Sequence, residues 1–346
     1  MMTERSAFSP DDLAVPLIQA PMAGGPSAPV LAAAVGSAGA LGFLAGGYLP
    51  TATLGAQIVE LRASLGGGVP FGVNLFVPQP VAEPHAVAAY REGLAAEAEQ
   101  LGVTLPEPDL EDTGDWAEKI SLLLQDPVPV VSFTFGLPEA EVIARLRSQG
   151  TYTVATVTTR DEARAAQAVG VDALCVQGPE AGGHRGTFDP AAAPSTTSLD
   201  ELLGQVSAVV DLPLIAAGGV STAKDVARLR AAGARLVQAG TAFLRADEAG
   251  TQPLHQAALA DERFTETVLT RAFSGRWARA LRNGFTDRHP HAPAAYPALH
   301  QLTSPLRAEA VRRSDADWLS LYAGVGFRAA RAEPAAAIVA RLSAAA

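Results

Sequence analysis

Short runs of apolar residues alternate along the chain with stretches in which apolar positions recur every three or four residues. The apolar runs lie at 15–20, 40–45, 70–76, 128–134, 152–157, 173–177, 212–217 and 235–240. The stretches with helical spacing lie at 54–65, 86–101, 139–148, 160–169, 198–210 and 222–232. Uniformly apolar runs of this length are typical of parallel strands buried on both faces. The alternation therefore predicts parallel strands connected by crossover helices.

Eight such strands predict an α/β fold of the (β/α)8 TIM-barrel type, in which the loops at the carboxyl ends of the strands carry the chemistry. An open, doubly wound sheet is the structural alternative. We expect residues 1–245 to form the barrel, beginning with a short leader strand or arm at 1–12. The stretch 79–126 is longer than a barrel connection needs, and its prolines predict a helix with a surface excursion.

The regular alternation stops after the eighth strand. Residues 246–313 are polar and irregular, which predicts a small substrate or lid domain over the barrel mouth. The remaining segment, 314–346, is expected to be helical at 329–342. The apolar face of that helix, Ile338, Val339 and Leu342, would pack back on the barrel.

Composition and charge exclude several classes of protein. The chain has 26 Lys and Arg against 36 Asp and Glu, a formal charge of −10, so a basic nucleic-acid footprint is not expected. A hydrophobic fraction of 48% excludes global disorder. Residues 28–49 are uncharged, but five glycines within this stretch and the prolines at 26 and 29 predict turns and short buried elements there rather than a membrane span.

The chain has one cysteine, Cys175, so no intrachain disulfide can form and a cytoplasmic location is the default. We expect Cys175 to lie in a strand core, which argues against a catalytic thiol. The six histidines lack metal-ligand spacing, and no metal site is predicted. His289 and His291 flank a proline and are interpreted as solvated surface residues. No GxSxG elbow or P-loop occurs.

Two of the predicted strands end in residues suited to a planar ligand. The first runs into Gln-Ala-Pro-Met-Ala-Gly-Gly at 19–25, where small residues permit close approach to the backbone, although a tight turn would look the same. The third carries Asn74 as a lone amide in an apolar run. A heterocycle could satisfy that amide, and so could a neighbouring strand.

The sharpest motif is Gln-Gly-Pro-Glu-Ala-Gly-Gly-His-Arg-Gly at 177–186, directly after the sixth strand. Gln177 offers an amide at the strand end, and Gly182 allows a ligand to approach the backbone. His184 is a titratable group on a glycine loop, which indicates a catalytic base. Glu180 and Arg185 are interpreted as pairing with each other or with solvent.

The loops after the seventh and eighth strands predict a phosphate site. Gly219 follows the seventh strand, and Gln238, Ala239, Gly240 and Thr241 end the eighth. Glycines expose backbone N–H groups, and these two loops frequently bind phosphate in such barrels. Plain tight turns are the alternative.

Together these motifs resemble the nitronate monooxygenase family, formerly called 2-nitropropane dioxygenases, whose members are FMN-dependent (β/α)8 barrels. Blocks at 19–25, 41–48, 71–78, 131–138, 170–186, 217–244, 273–285 and 321–326 carry the resemblance in order. The resemblance implies His184 as the catalytic residue. It implies FMN contacts at Met22, Asn74, Gln177, Gly182, Gly219, Gln238, Ala239, Gly240 and Thr241, with Met22 using its backbone. Trp277 and Val325 depart from the family pattern, where Pro and Gln are common.

The activity that the resemblance implies is oxidation of alkyl nitronates, and possibly of nitroalkanes, by dioxygen to a carbonyl compound and nitrite. A neutral nitroalkane must first lose an α-proton, which suits a histidine poised near neutrality, whereas for a nitronate His184 could orient or stabilise the anion. Two alternatives remain open. One is an NAD(P)H-dependent flavin reductase of quinone or enoyl-acyl carrier protein type, and the other is a flavin-free barrel lyase or isomerase acting on a phosphate-bearing substrate. The oligomeric state is left open.

Overall fold

A computed structural model describes residues 8–344 of the chain. Its strands, in chain order, are β1 (Leu17–Gln19), β2 (Gly42–Ala45), β3 (Phe71–Phe76), β4 (Val130–Thr134), β5 (Tyr152–Val157), β6 (Ala173–Gln177), β7 (Gly183–His184), β8 (Leu214–Ala217), β9 (Leu236–Ala239), β10 (Thr267–Thr270) and β11 (Ala278–Leu281). Eight of them form one parallel sheet in the order β1-β9-β8-β6-β5-β4-β3-β2. A parallel bridge between Ile18 and Leu41 joins the first and last strands and closes the barrel. The predicted TIM barrel is confirmed.

The α-helices are α1 (Pro29–Ser37), α2 (Thr51–Leu65), α3 (Pro84–Gly93), α4 (Ala95–Leu101), α5 (Trp116–Gln125), α6 (Ala140–Ser148), α7 (Arg160–Val169), α8 (Leu199–Ser207), α9 (Ala223–Ala231), α10 (Pro253–Ala258), α11 (Gly284–Arg288), α12 (Ala298–Arg312) and α13 (Ala335–Ser343). Local sequence explains the helix ends. Thr159 and Thr222 cap α7 and α9 by accepting a hydrogen bond from the backbone N–H three residues on. Gly170 ends α7 in the left-handed conformation.

Five helices were not predicted. Where α1 lies we expected turns and short buried elements, because glycines and prolines interrupt the apolar stretch and its almost entirely apolar residues lack the polar face of a surface helix. The others are α5, α10, α11 and α12. In α12 the buried residues Leu299, Leu302 and Leu306 do follow helical spacing, but Pro305 and the polar surroundings mask it. The predicted leader arm lies partly outside the described residues, and Pro10–Asp12 forms a single 3-10 turn rather than a strand.

Two apolar layers build the barrel. One lies between the sheet and the surrounding helices and includes Ile338, Val339 and Leu342 of α13, so the predicted return of the C-terminal helix is confirmed. The other lies inside the barrel and contains Cys175, which is buried as predicted.

A separate apolar core lies beyond the barrel. It combines residues of α3 and α4 with residues between 244 and 327, and a small antiparallel sheet, β10-β11-β7, joins this part to the glycine–histidine loop. The excursion after β3 therefore contributes to the second core together with the region predicted as a lid. The division at 245 and 313 remains a prediction. Among the described residues, no helix combines the length and apolar character needed to cross a membrane.

Candidate active site

A cavity of about 490 Å3 opens at the carboxyl ends of the barrel strands. Every site residue predicted from the sequence lines it, namely Met22, Asn74, Gln177, Gly182, His184, Gly219, Gln238, Ala239, Gly240 and Thr241. These residues come from six different loops or strand ends, and the fold brings them together because parallel strands present their carboxyl ends to one face of the barrel.

The two amides differ in how far their bonding capacity is used. Asn74 donates through Nδ2 to Ser132 Oγ at 2.9 Å and to Thr134 Oγ1 at 3.0 Å, while its carbonyl oxygen receives no donor within residues 8–344. Gln177 bridges the histidine loop, donating to the carbonyl oxygen of His184 and accepting from the N–H of Gly186. Asn74 therefore keeps an acceptor for a ligand, and Gln177 shapes the loop while retaining one N–H.

Gly182 lies where the glycine–histidine loop meets the segment 321–326. A Cβ at Gly182 would lie 2.4 Å from the backbone nitrogen of Gly324, so only glycine permits this close approach. Gly324 in turn donates its N–H to Thr241 Oγ1 at 2.9 Å. Because Thr241 accepts this hydrogen bond through its oxygen, its hydroxyl proton remains available to a ligand.

The Gly218–Gly219 turn after β8 has positive φ at both residues. The N–H of Gly219 has no acceptor among the described residues. On the other side of the cavity, Ser27 engages both backbone groups of Met22, accepting from its N–H at 2.8 Å and donating to its carbonyl at 3.2 Å. If the backbone of Met22 contacts a flavin as predicted, its N–H and carbonyl must serve the flavin and Ser27 together.

His184 is held by β7, which pairs with β11 so that His184 lies opposite Ala278. Its Nε2 lies 2.8 Å from Ser274 Oγ. Ser274 also lies within hydrogen-bonding distance of the carbonyl of Arg276, to which it donates at 3.3 Å. With the Ser274 proton directed to that carbonyl, Nε2 of His184 donates to Ser274 and Nδ1 keeps its lone pair.

Burial lowers the pKa of His184 from 6.5 to about 3, with smaller contributions from the nearby positive charges of Arg276 and Arg307. Our expectation that this histidine is poised near neutrality is therefore wrong for the ligand-free protein. The physical reason is that desolvation and two cations both disfavour the imidazolium. His184 is neutral at physiological pH and carries a lone pair that can accept a proton.

Sequence reasoning missed the two arginines. Arg276 is fully buried, lies over the Phe135 ring at 4.1 Å and donates to the carbonyl of Arg185 and the side chain of Gln79. Arg307 lines the cavity, donates to the carbonyl of His300 at 3.0 Å, and has a buried Nε without a partner. Neither forms a salt bridge within the described part of the chain. Within residues 8–344 the two guanidinium groups therefore have no carboxylate at salt-bridge distance, although Glu162 and Asp189 act on Arg276 from further away, and this net positive field suits an anionic ligand.

An aromatic wall surrounds the histidine. The rings of Phe135, Tyr296 and Tyr322 have centroids 5.6, 6.0 and 5.1 Å from the His184 ring. Phe135 has a φ of 81°, a strained conformation for a bulky residue that is typical of functional sites. The blocks 131–138, 273–285 and 321–326 contain several of these residues, but the sequence could not show that they meet.

Two other interpretations are corrected. Arg185 does not pair with Glu180, because it is fully buried and donates to the carbonyls of Gly178 and Gln177. His289 is not a solvated surface residue, since its Nε2 lies 2.7 Å from Glu97 Oε2. The fold brings Glu97 of α4 against the end of α11, a contact between residues far apart in sequence. His291 is exposed, as predicted.

The cavity offers free hydrogen-bonding groups of the kinds that a phosphate and a planar heterocycle need. The free N–H of Gly219 and the Thr241 hydroxyl provide donors for a phosphate, and the unpaired carbonyl oxygen of Asn74 provides an acceptor for a heterocyclic N–H. Within residues 8–344, no group of three or more His, Cys, Asp or Glu side chains is arranged to hold a metal ion.

A family model, curated relatives and a solved structure all point to one protein family. The family model described as nitronate monooxygenase matches residues 10–344. A nitronate monooxygenase of Paraburkholderia phytofirmans is 38% identical over 336 residues, covering 94% of this chain and 91% of the relative. The crystal structure of nitroalkane oxidase from Streptomyces ansochromogenes superimposes with a TM-score of 0.92 at 50% identity, over 97% of this chain and 96% of that one.

A more distant structure shares the fold over a similar length. FabK from Thermotoga maritima superimposes with a TM-score of 0.72 at 25% identity, covering 98% of this chain and 95% of that chain. The match over nearly the whole chain agrees with the barrel fold. The chain belongs to the nitronate monooxygenase family of oxidoreductases.

Proposed function

We propose that the chain binds FMN in the barrel cavity and oxidises alkyl nitronates with dioxygen to carbonyl compounds and nitrite. The reaction balances when two nitronates and one dioxygen give two carbonyl compounds and two nitrites. Bound FMN supplies the acceptor that takes electrons from the substrate and passes them to dioxygen. The names of the relatives, nitronate monooxygenase and nitroalkane oxidase, support this substrate class.

The observation that carries the proposal is a neutral histidine beside two arginines that have no carboxylate partner. The nitronate is an anion, and burying it next to Arg307, which lines the cavity, compensates its charge, while Arg276 acts on the site only from outside the cavity lining. An anion bound there also raises the pKa of His184 back toward its ordinary range, because it offsets the field of the arginines. With a neutral nitroalkane the negative charge develops only as the α-proton leaves, and this developing charge acts in the same direction, so His184 can take the proton and, once protonated, stabilise the nitronate.

The phosphate of FMN is assigned to the Gly219 turn and the Gln238, Ala239, Gly240 and Thr241 run. The isoalloxazine is assigned to Met22, Asn74, Gln177 and Gly182. The support comes from the donors and acceptors left free at Gly219, Thr241 and Asn74. A cytoplasmic location and nitrite as product remain predictions of the same proposal.

The test is an anaerobic visible spectrum of the purified protein, before and after a primary or secondary nitronate is added. We expect a flavin spectrum that the nitronate reduces. NADH or NADPH should leave the flavin oxidised, and this comparison tests the alternative of an NAD(P)H-dependent flavin reductase. Prompt bleaching of the flavin by NADH or NADPH would indicate a reductase. A protein that takes up no flavin on reconstitution would contradict both the monooxygenase and the reductase.

His184→Asn tests the role of the histidine. We expect the rate of flavin reduction by neutral nitroethane to fall about 100-fold or more, because general-base catalysis contributes roughly that factor. His291→Asn is the matched control, since His291 is exposed and far from the described cavity lining. Unchanged reduction by nitroethane in His184→Asn, with FMN still bound, would refute the assignment.

A further inference from the structure

The cavity does not stop at the strand ends but continues down the inside of the barrel. Val130, Ser132 and Thr134 of β4 all line it, and so do Tyr152, Val154 and Thr156 of β5. Every second residue of a strand faces the same side, so these side chains mark three successive levels of the barrel interior. At roughly 3.3 Å per residue, the step from 152 to 156 spans about 13 Å.

The levels differ in chemistry. The upper level, at the carboxyl ends, is polar and contains Thr134, Thr156, Gln177 and Gln238. Below it lies an apolar region, here called the lower level, whose side chains are nearly inaccessible to solvent: Val130, Val154, Cys175, Ile215 and Leu236. Ser132 borders this region, and its hydroxyl accepts a hydrogen bond from Asn74 Nδ2 at 2.9 Å. The Cys175 thiol adds no charge there, because burial raises its pKa to about 12.

An aromatic contact lies at the bottom of this space. Phe8 and Tyr152 meet edge to face with ring centroids 5.4 Å apart, and both side chains are buried. The interior of a TIM barrel is ordinarily filled by layers of side chains. Here the same layers leave a continuous space from the mouth to this aromatic floor.

We propose that the lower level of the barrel cavity is a binding site for small apolar molecules, and that dioxygen is its ligand during turnover. Cavities lined only by apolar side chains stay dry and accept apolar guests. The nitronate is excluded from this level, because its charge would be buried without a partner, whereas Arg307 lies at the mouth. The choice of dioxygen rests on the proposed function, but the apolar site itself does not.

Xenon is the probe for the apolar site, because it reports binding without any reaction. We expect xenon in crystals of the FMN-loaded protein to lie among Val130, Val154 and Cys175. The variant Val130→Leu/Cys175→Leu should lose that xenon, since the added methylenes occupy the space. Xenon absent from the lower level of the native protein would overturn the site.

Val131→Leu is the matched control. Val131 is the neighbour of Val130 on β4, but it points into the layer between sheet and helices, so the same methylene is added outside the cavity. We expect Val131→Leu to keep xenon in the lower level. If the double variant does not fold, Val154→Ile fills part of the same level with a smaller change.

The dioxygen assignment is tested with flavin reduced by light, which bypasses the nitronate. We expect the second-order rate constant for reoxidation by dioxygen to fall severalfold in the filled variants and to keep its native value in Val131→Leu. An unchanged rate in a variant that has lost xenon would overturn the dioxygen assignment. If nitronate fails to reduce the native flavin while both of these results hold, the proposed function fails and the dioxygen site stands.

Discussion

Arg307 is the residue whose environment most directly indicates a charged ligand. It extends from α12 into the cavity, its buried Nε has no partner among residues 8–344, and its side chain contacts His300 rather than a carboxylate. A cation that is partly withdrawn from water without a counter-ion is costly, and an anionic ligand reduces that cost. The same cation contributes to the low pKa of His184, so substrate binding and the protonation state of the histidine are coupled.

Removal of this charge should weaken nitronate binding. We expect Arg307→Met to raise KM for ethyl nitronate about 10- to 100-fold, the effect of losing a charge-assisted hydrogen bond, and Arg307→Lys to recover part of it. Arg312→Gln is the control, because Arg312 lies on the same helix with its side chain 72% exposed. An equal effect of both variants in steady-state kinetics would contradict a role of Arg307 in anion binding.

The depressed pKa of His184 predicts an unusual pH profile. Because the free enzyme titrates His184 near pH 3, kcat/KM for neutral nitroethane should show no acid limb near pH 6.5, the ordinary pKa of histidine. The profile is measured with nitroethane diluted from acid immediately before mixing. A limb centred near 6.5 would show that the imidazolium is not disfavoured in the free enzyme.

The lowered pKa of His184 also makes the stability of the fold depend on pH. The unfolded chain binds a proton at His184 near pH 6.5, whereas the folded chain does so only near pH 3. Between these values the unfolded state holds more protons, so the free energy of unfolding decreases as the pH is lowered through this window. His184→Asn should reduce the slope of that decrease in denaturant titrations, and an unchanged slope would contradict the shift.

At the scale of elements, the site depends on how two loops and the segment 321–326 pack together. Gly182 contacts the backbone of Ala323 and Gly324, and the carbonyl of Glu180 accepts from the N–H of Val325 at 3.1 Å. The segment lies against both the histidine loop and Thr241, so it forms the wall of the cavity between Gly182 and Thr241. Val325 itself is exposed at this wall, which suits a position where the chain departs from the family pattern.

Gly182→Ala should disrupt this packing. The new Cβ would overlap the backbone of Gly324 and Ala323, and the overlap can be relieved only by moving one of the two segments. We expect the Kd for FMN, followed by flavin fluorescence, to rise about tenfold or more, consistent with the cost of overpacking. Gly204→Ala is the control, since a Cβ there meets nothing within 4 Å and lies in α8, so FMN affinity should not change.

At the scale of the whole molecule, the C-terminal helix completes the barrel. Ile338 and Leu342 of α13 are fully buried in the layer between sheet and helices, where α13 contacts α1 and α9. The last helix thereby seals the surface near the start and end of the barrel. The second core, with α4 tied to α11 through Glu97 and His289, forms the other side of the cavity mouth.

Ile338→Ala should destabilise the whole fold. We expect the free energy of unfolding in denaturant to fall by about 2–5 kcal/mol, the usual cost of truncating a fully buried aliphatic side chain. Val59→Ala is the control, because Val59 is 63% exposed and its truncation leaves no cavity. If Ile338→Ala lowers the free energy of unfolding no more than Val59→Ala does, α13 is not part of the unit that unfolds cooperatively.

Much of the barrel was accessible from sequence. The predicted strands 152–157 and 173–177 coincide with β5 and β6, and the helix 160–169 coincides with α7. These elements have local signals: an apolar run bounded by polar residues, a threonine cap and a terminal glycine. The helices α1 and α12 lacked such signals, because α1 is apolar nearly all round and α12 contains Pro305.

The sequence by itself determined the barrel and the residues at its strand ends, because strand periodicity and glycine turns are local properties that fix which residues reach the carboxyl face. Tertiary structure alone decided the charge of the site. Arg276 and Arg307 lie about a hundred residues after His184, and only folding brings them near it and removes the water that would screen them. The neutral histidine, the unpaired positive charge and the apolar depth of the barrel are therefore properties of packing, since burial and proximity have no signature in the linear chain.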